Sequence, residues 1–275
     1  MAIKTGNAKN NTLDGTDDQD TLSGLGGSDH LYGFGDNDIL NGGKGNDFLD
    51  GGEGDDKLIG GASSDTMIGG DGADEFIGGR GKDTVDYSGS SEKVLAQLAA
   101  NTSADGAAGD TFNRVENVIG SGYGDILQAG RGGIARGGDG DDLVAGGGDY
   151  MSHDDGGRIQ GDDGLDTLTM NYGDTEAVLK NDSGYDTIIG FEEGADMFFI
   201  KLSDFGLGDT FDVSELRNSD TATAQGTHAQ FIFEGDEGKL WFDANGTEAG
   251  GRTYVAQFEN SDIETMELND FNFAL

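Results

Sequence analysis

Glycine recurs at every ninth residue from Gly6 to Gly78, and this period constrains the chain more than any other feature. Residues 6–86 divide without a gap into nine nonapeptides: GNAKNNTLD, GTDDQDTLS, GLGGSDHLY, GFGDNDILN, GGKGNDFLD, GGEGDDKLI, GGASSDTMI, GGDGADEFI and GGRGKDTVD. Their first residues are Gly6, Gly15, Gly24, Gly33, Gly42, Gly51, Gly60, Gly69 and Gly78. The sixth place is Asp in eight of the nine: Asp20, Asp29, Asp38, Asp47, Asp56, Asp65, Asp74 and Asp83, with Asn11 in the first unit. The eighth place is always apolar: Leu13, Leu22, Leu31, Leu40, Leu49, Leu58, Met67, Phe76 and Val85. Three constraints held in phase require a backbone in which every unit is the same structural step.

The pattern resembles the RTX, or hemolysin-type, calcium-binding nonapeptide G-G-x-G-x-D-x-U-x, in which U is a large apolar residue. Units 42–50, 51–59, 69–77 and 78–86 fit it in full. The resemblance implies an all-β fold, a parallel β-roll of six-residue turns and three-residue strands, with two units per 18-residue coil. Glycine in the turns would permit positive φ and let carbonyls approach a shared ion. Only the middle side chain of such a strand points inward, so one apolar residue in nine fills a narrow core. About 4.5 coils at ~4.8 Å spacing give a ladder roughly 20 Å long.

Units two apart then stack on one edge. Asp29, Asp47, Asp65 and Asp83 form one column, and Asp20, Asp38, Asp56 and Asp74 the other. Carboxylates stacked so closely repel unless a counter-ion intervenes. A hard divalent cation that takes about six to eight oxygens reverses the sign, and calcium suits a roomy cage of carbonyls and carboxylates better than magnesium. The resemblance implies several Ca²⁺ ions held by these Asp and by the turn glycines Gly43, Gly45, Gly52, Gly54, Gly70, Gly72, Gly79 and Gly81. Zinc is disfavoured, because His30, His153 and His228 are isolated and the chain has no Cys. Two units depart from the pattern. Unit 6–14 has Lys9 and Asn11 where Gly and Asp belong, and reads as a cap; unit 60–68 has Ser63 in place of its second turn glycine, which argues against a fully occupied site there.

After Asp86 the phase is lost over 87–119, where Phe112, Val115 and Val118 recur at strand-like or mixed spacing. Repeats resume less regularly at 120–128 with Asp125, 137–145 with Asp142 and 161–169 with Asp166, each a further candidate ligand. The segment 146–160 breaks the period, and 181–189, with Asp186 in the sixth place, is a last imperfect unit. These readings divide the chain into an N-terminal roll at 1–86, an interrupting segment at 87–119, a second irregular β-roll at 120–189 and an antiparallel β cap at 190–275. The last part holds most of the aromatics, and Asn245-Gly246 reads as a hairpin turn. Asp243 and Asn245 offer another ion site, with a plain hairpin turn the preferred reading. The terminus Asn269–Leu275 resembles a type I secretion signal. Ile59 and Ile77 should lie side by side facing outward with Ile68 on the opposite sheet, either covered by later chain or open to a partner.

Composition narrows the function. With 54 acidic and 16 basic residues among 275, the net charge of −38 argues against nucleic acid and anionic membranes. No run approaches 18 apolar residues, so no transmembrane segment is expected. The absence of Cys removes disulfides and thiol nucleophiles. The absence of Pro, where average usage would supply roughly 14, opposes simple disorder and indicates a backbone whose N–H groups are nearly all needed as donors. The sequence contains no H-E-x-x-H, no G-x-S-x-G, no P-loop and no G-x-G-x-x-G opening a helix. The expectation is a non-enzymatic protein. By resemblance it is exported unfolded by a type I apparatus from a Gram-negative bacterium, folded outside by calcium, and free or attached to the cell surface, with a cell-surface or extracellular polysaccharide as a further partner. The competing reading is a calcium-dependent accessory module of a polysaccharide-acting enzyme such as a mannuronan epimerase.

Overall fold

Side chains alternate across an extended chain, so the sixth, eighth and next first places of consecutive nonapeptides share one face. The computed structural model, which describes residues 1–147, 157–170, 175–180, 185–191, 196–205, 216–218, 230–234, 237–244, 252–259 and 271–274, places that face inward. Along Phe48–Glu53, Leu49 and Gly51 are buried, as is Asp47 just before the strand. Several strands therefore run six residues rather than three: Ile39–Lys44, Phe48–Glu53, Lys57–Ala62, Thr66–Asp71 and Glu75–Arg80 continue through the first glycine. Two inward places per strand are filled, one by an apolar side chain and one by glycine.

Consecutive strands alternate between two parallel sheets, and pairing advances by 18 residues per coil. One sheet stacks Ile3–Thr5, Thr21–Ser23, Ile39–Lys44, Lys57–Ala62, Glu75–Arg80 and Thr111–Asn113. The opposite, long sheet stacks Thr12–Thr16, His30–Gly35, Phe48–Glu53, Thr66–Asp71 and Thr84–Asp86, then continues through Asn117–Ile119, Ile134–Asp139, Gly157–Asp163, Thr175–Leu179, Met197–Lys201 and Phe271–Ala274. Leu22, Leu31, Leu40, Leu49, Leu58, Met67, Phe76 and Val85 fill the space between as a fully buried row. Each such burial stabilises by about 1.5–3 kcal/mol.

The stretch 87–119 carries the stack forward and supplies strands to all three sheets. Thr111–Asn113 ends the first sheet, Asn117–Ile119 extends the long one, and Val94–Gln97 with Thr102–Asp105 begins a third. The third sheet replaces the first opposite the long sheet and proceeds through Ile126–Gln128, Leu143–Ala145, Thr167–Thr169 and Asp186–Ile189. Coil length varies here: Ile126 pairs with Leu143, but Leu143 pairs with Thr167. The parallel hydrogen-bond ladder continues through both spacings.

An antiparallel portion follows. Lys239–Asp243 pairs antiparallel with both Gln230–Glu234 and Arg252–Phe258, while Arg252–Phe258 docks parallel on Asp186–Ile189. Phe191, Phe198, Phe233 and Phe258 pack at its core. Phe271–Ala274 adds as a parallel strand to Met197–Lys201. Asn245, Gly246, Asn269, Asp270, Leu275, His153, His228 and residues 148–156 and 181–184 lie outside the described residues. Ile59 and Ile77 do stand side by side, and these two and Ile68 are half-buried. No helix among the described residues is long and apolar enough to cross a membrane.

Candidate metal centres

Asp at the sixth place falls on the inward face just before the strand, so its carboxyl turns under the edge of the coil. Asp20, Asp29, Asp38, Asp47, Asp56, Asp65, Asp74 and Asp83 are all buried. Along one edge, the N–H groups of Asp20, Asp38 and Asp56 donate to Oδ1 of Asp38, Asp56 and Asp74 at 2.6, 2.7 and 2.9 Å. Along the other, Asp29, Asp47 and Asp65 donate to Oδ1 of Asp47, Asp65 and Asp83 at 2.8, 2.8 and 2.9 Å. Each carboxylate therefore uses one oxygen to fasten itself to the preceding coil.

The second oxygen is different. Among the described residues, Oδ2 of Asp29, Asp38, Asp47, Asp56, Asp65, Asp74 and Asp83 is buried without a hydrogen-bond partner, as is that of Asp142. A buried polar atom left unmet costs roughly 1–3 kcal/mol, and more when charged. Glycine at the first place makes room for this oxygen: a Cβ on Gly51 would collide with Asp56 Oδ2, and one on Gly60 would lie 2.5 Å from Asp65 Oδ2. Turn glycines Gly43, Gly45, Gly52, Gly54, Gly70, Gly72, Gly79 and Gly81 take φ from +105° to +137°, with the carbonyls of the preceding coil against them. Ser63 adopts the same left-handed turn at φ +88°, and its N–H reaches Arg80 O at 2.8 Å, so the turn survives the substitution.

The ends of the columns are closed by other groups. Thr16 Oγ1 donates to Asp20 Oδ2 at 2.9 Å, and Ser121 donates through both its N–H and Oγ to Asp125. Beyond Asp74 the column gains Asp110, whose Oδ1 accepts from Asp74 N–H at 2.8 Å and whose Oδ2 accepts from Tyr87 Oη at 2.6 Å. Beyond Asp83, the N–H of Asp83 donates to Glu116 Oε2 at 3.0 Å. At the start of the other edge Asn11, an uncharged residue, holds the sixth place. Asp110, Tyr87 and Glu116 carry no sequence signal, because they lie 36, 13 and 33 residues after the Asp74 or Asp83 rungs they complete instead of 18. A shorter column continues the pattern in the third sheet, where Asp125 and Asp142 donate to Oδ1 of Asp142 and Asp166 at 2.7 and 2.9 Å. Asp243 instead faces Arg252, whose Nε lies 3.9 Å from Asp243 Oδ2 across the antiparallel pair.

Electrostatics follow the burial. Asp56, Asp65 and Asp74 are raised to about 7 and Asp142 to about 8, chiefly by removal from water, with backbone hydrogen bonds opposing the shift and neighbouring carboxylates adding to it. Among the described residues no three acidic or His side chains converge as a self-sufficient metal cluster. One free carboxylate oxygen per turn, lined up with turn backbone, suits a hard cation completed by carbonyls.

Residues 5–33, 14–49, 32–67 and 50–85 match, in four copies, the family model of the RTX calcium-binding nonapeptide repeat. Residues 5–85 carry the RTX calcium-binding repeat. The RTX match ends at residue 85, whereas the carboxylate columns run on to Asp110 and Glu116. Asp125, Asp142 and Asp166 lie beyond the matched residues. Comparison with curated proteins returned no match.

Proposed function

We propose that the protein is a non-enzymatic calcium-binding RTX protein, exported unfolded through a type I secretion apparatus and folded outside the cell by calcium, where it serves at the cell surface or on extracellular polysaccharide. The observation that carries this reading is the run of buried, unpartnered Oδ2 atoms from Asp29 to Asp83. Asp29, Asp38, Asp47, Asp56, Asp65, Asp74 and Asp83 would hold the ions together with carbonyls of the turns at Gly43, Gly45, Gly52, Gly54, Gly70, Gly72, Gly79 and Gly81. Calcium, when bound, supplies the positive charge that the columns lack. Asp20 and Asp125, already met by hydroxyls, take the ends of their columns. Asp142 and Asp166 extend the same role to the third sheet.

The coupling to export is one of mass action. For a dissociation constant on the order of 10⁻⁴ M, millimolar calcium stabilises the fold by about 1.4 kcal/mol per site. At low calcium that contribution vanishes while the repulsion within a chain of net charge −38 remains. Calcium titration followed by circular dichroism tests the reading: a cooperative change from coil to β is expected. A β-rich, protease-resistant protein in exhaustively decalcified buffer at neutral pH would overturn it.

A further inference from the structure

Four aromatic rings gather on the outer face of the long sheet. His30, Tyr32 and Phe34 alternate outward along His30–Gly35, and Phe48 stands opposite His30 on the next strand. Ring centroids are 5.6 Å apart for His30–Phe48, 5.9 Å for Tyr32–Phe48, 6.5 Å for His30–Tyr32 and 6.4 Å for Tyr32–Phe34. Pairing register puts Asp14 on one side of Tyr32 and Asp50 on the other. The three strands involved, TLDGT, HLYGFG and FLDGGE, contain no Lys or Arg.

Phe34 sets this patch apart from chance exposure. It occupies the second place of its nonapeptide, where each of the next five units has Gly. Phe34 nonetheless adopts φ +82°, a left-handed conformation that is a true outlier for a bulky side chain, and its ring stays 50% exposed. Neither backbone preference nor burial accounts for a phenylalanine here, and strain of this kind is concentrated at functional surfaces.

We propose that this face docks a cationic partner, an arginine- or lysine-bearing segment of another protein, whose charged groups lie on the rings beside Asp14 and Asp50. Charge complementarity selects the occupant. The face offers ring faces and the carboxylates of Asp14 and Asp50, and the neighbouring ammonium, Lys4 Nζ, donates to the backbone carbonyl of Asp14; rings and carboxylates so placed attract guanidinium and ammonium groups. A second copy of the chain, itself at net −38, would set like charge against like, and an anionic polymer is repelled in the same way.

The test uses the full-length, calcium-saturated protein at about 0.15 M salt, with a fluorescent arginine-rich synthetic peptide and its citrulline counterpart. Phe34→Gly and Tyr32→Ser leave the net charge unchanged, and Phe34→Gly also restores the residue that the turn prefers. The arginine peptide should bind the wild type and lose roughly three- to tenfold in affinity with either variant, and the citrulline peptide should not bind. Phe34→Gly should fold at an equal or lower calcium concentration, which separates lost docking from lost structure. Equal affinity for wild type and both variants would assign binding to bulk charge and overturn the proposal. So would equal binding of the citrulline peptide, or a neutral oligosaccharide that displaces the arginine peptide.

Discussion

The hydroxyl of Tyr87 donates a 2.6 Å hydrogen bond to Oδ2 of Asp110, so the last carboxylate of its column is met by a phenol where Asp38, Asp56 and Asp74 before it present a bare oxygen. Tyr87 is buried, and its ring meets Phe76 edge-on at 6.4 Å. Tyr87→Phe keeps that packing but strips the donor. The expected loss is about 1–3 kcal/mol, measured as a lower thermal or urea midpoint at saturating calcium. An unchanged midpoint would show that another group meets Asp110.

Asp47 and Asp65 are adjacent rungs of one column, and the N–H of Asp47 donates to Oδ1 of Asp65. Changing both to Asn removes two negative charges while retaining an acceptor for the backbone. The calcium midpoint of folding should rise several-fold, each lost site being worth roughly 1 kcal/mol. An identical midpoint would remove both residues from the set of ligands.

Gly51→Ala tests the cradle directly. The new Cβ would run into Asp56 Oδ2 and lie 2.7 Å from Gly69 O, whereas a Cβ at Gly89 meets nothing within 4 Å. Gly51→Ala should destabilise the calcium-bound fold by about 1–3 kcal/mol, read from chemical denaturation, and Gly89→Ala should be close to neutral. Similar values for the two would mean that the first glycine is not shaped by the carboxylate.

Burial raises Asp56, Asp65 and Asp74 to about 7 and Asp142 to about 8, above the ordinary carboxylate value of 3.8. The folded, calcium-free chain thus holds protons more tightly than the unfolded one. Linkage then makes its stability greatest below about pH 4 with respect to these groups, declining as pH rises through 7 to 8. Decalcified protein moved from pH 8 to pH 5 should gain β-structure and protease resistance. Calcium should behave oppositely, needing higher concentrations at pH 5 because it competes with those protons. A calcium-free protein that becomes more ordered on alkalinisation would contradict both expectations.

The sequence made the regular coils legible because Asp56, Leu58 and Gly60 occupy alternate inward places of one extended segment, and a nine-residue period records that geometry directly. It overstated the share of turn in each unit, since the first glycine proved to be strand. It did not reveal that Thr16, Ser121 and Tyr87 close the columns: a hydroxyl carries no phase, and the chain between Tyr87 and Asp110 has lost the nine-residue period. Nor did it reveal the rings about Tyr32, because the outward seventh, ninth and second places vary from unit to unit and only pairing register brings Phe48 to the strand that carries His30, Tyr32 and Phe34.

The long sheet passes from Thr12 to Ala274 while its companion changes once along the way. A spine of this kind gives the chain a growth face: each completed coil exposes the strand edge on which the next can crystallise. Assembly can then spread outward from any well-formed rung, and an interruption at one loop delays the front without scrambling the coils already laid down.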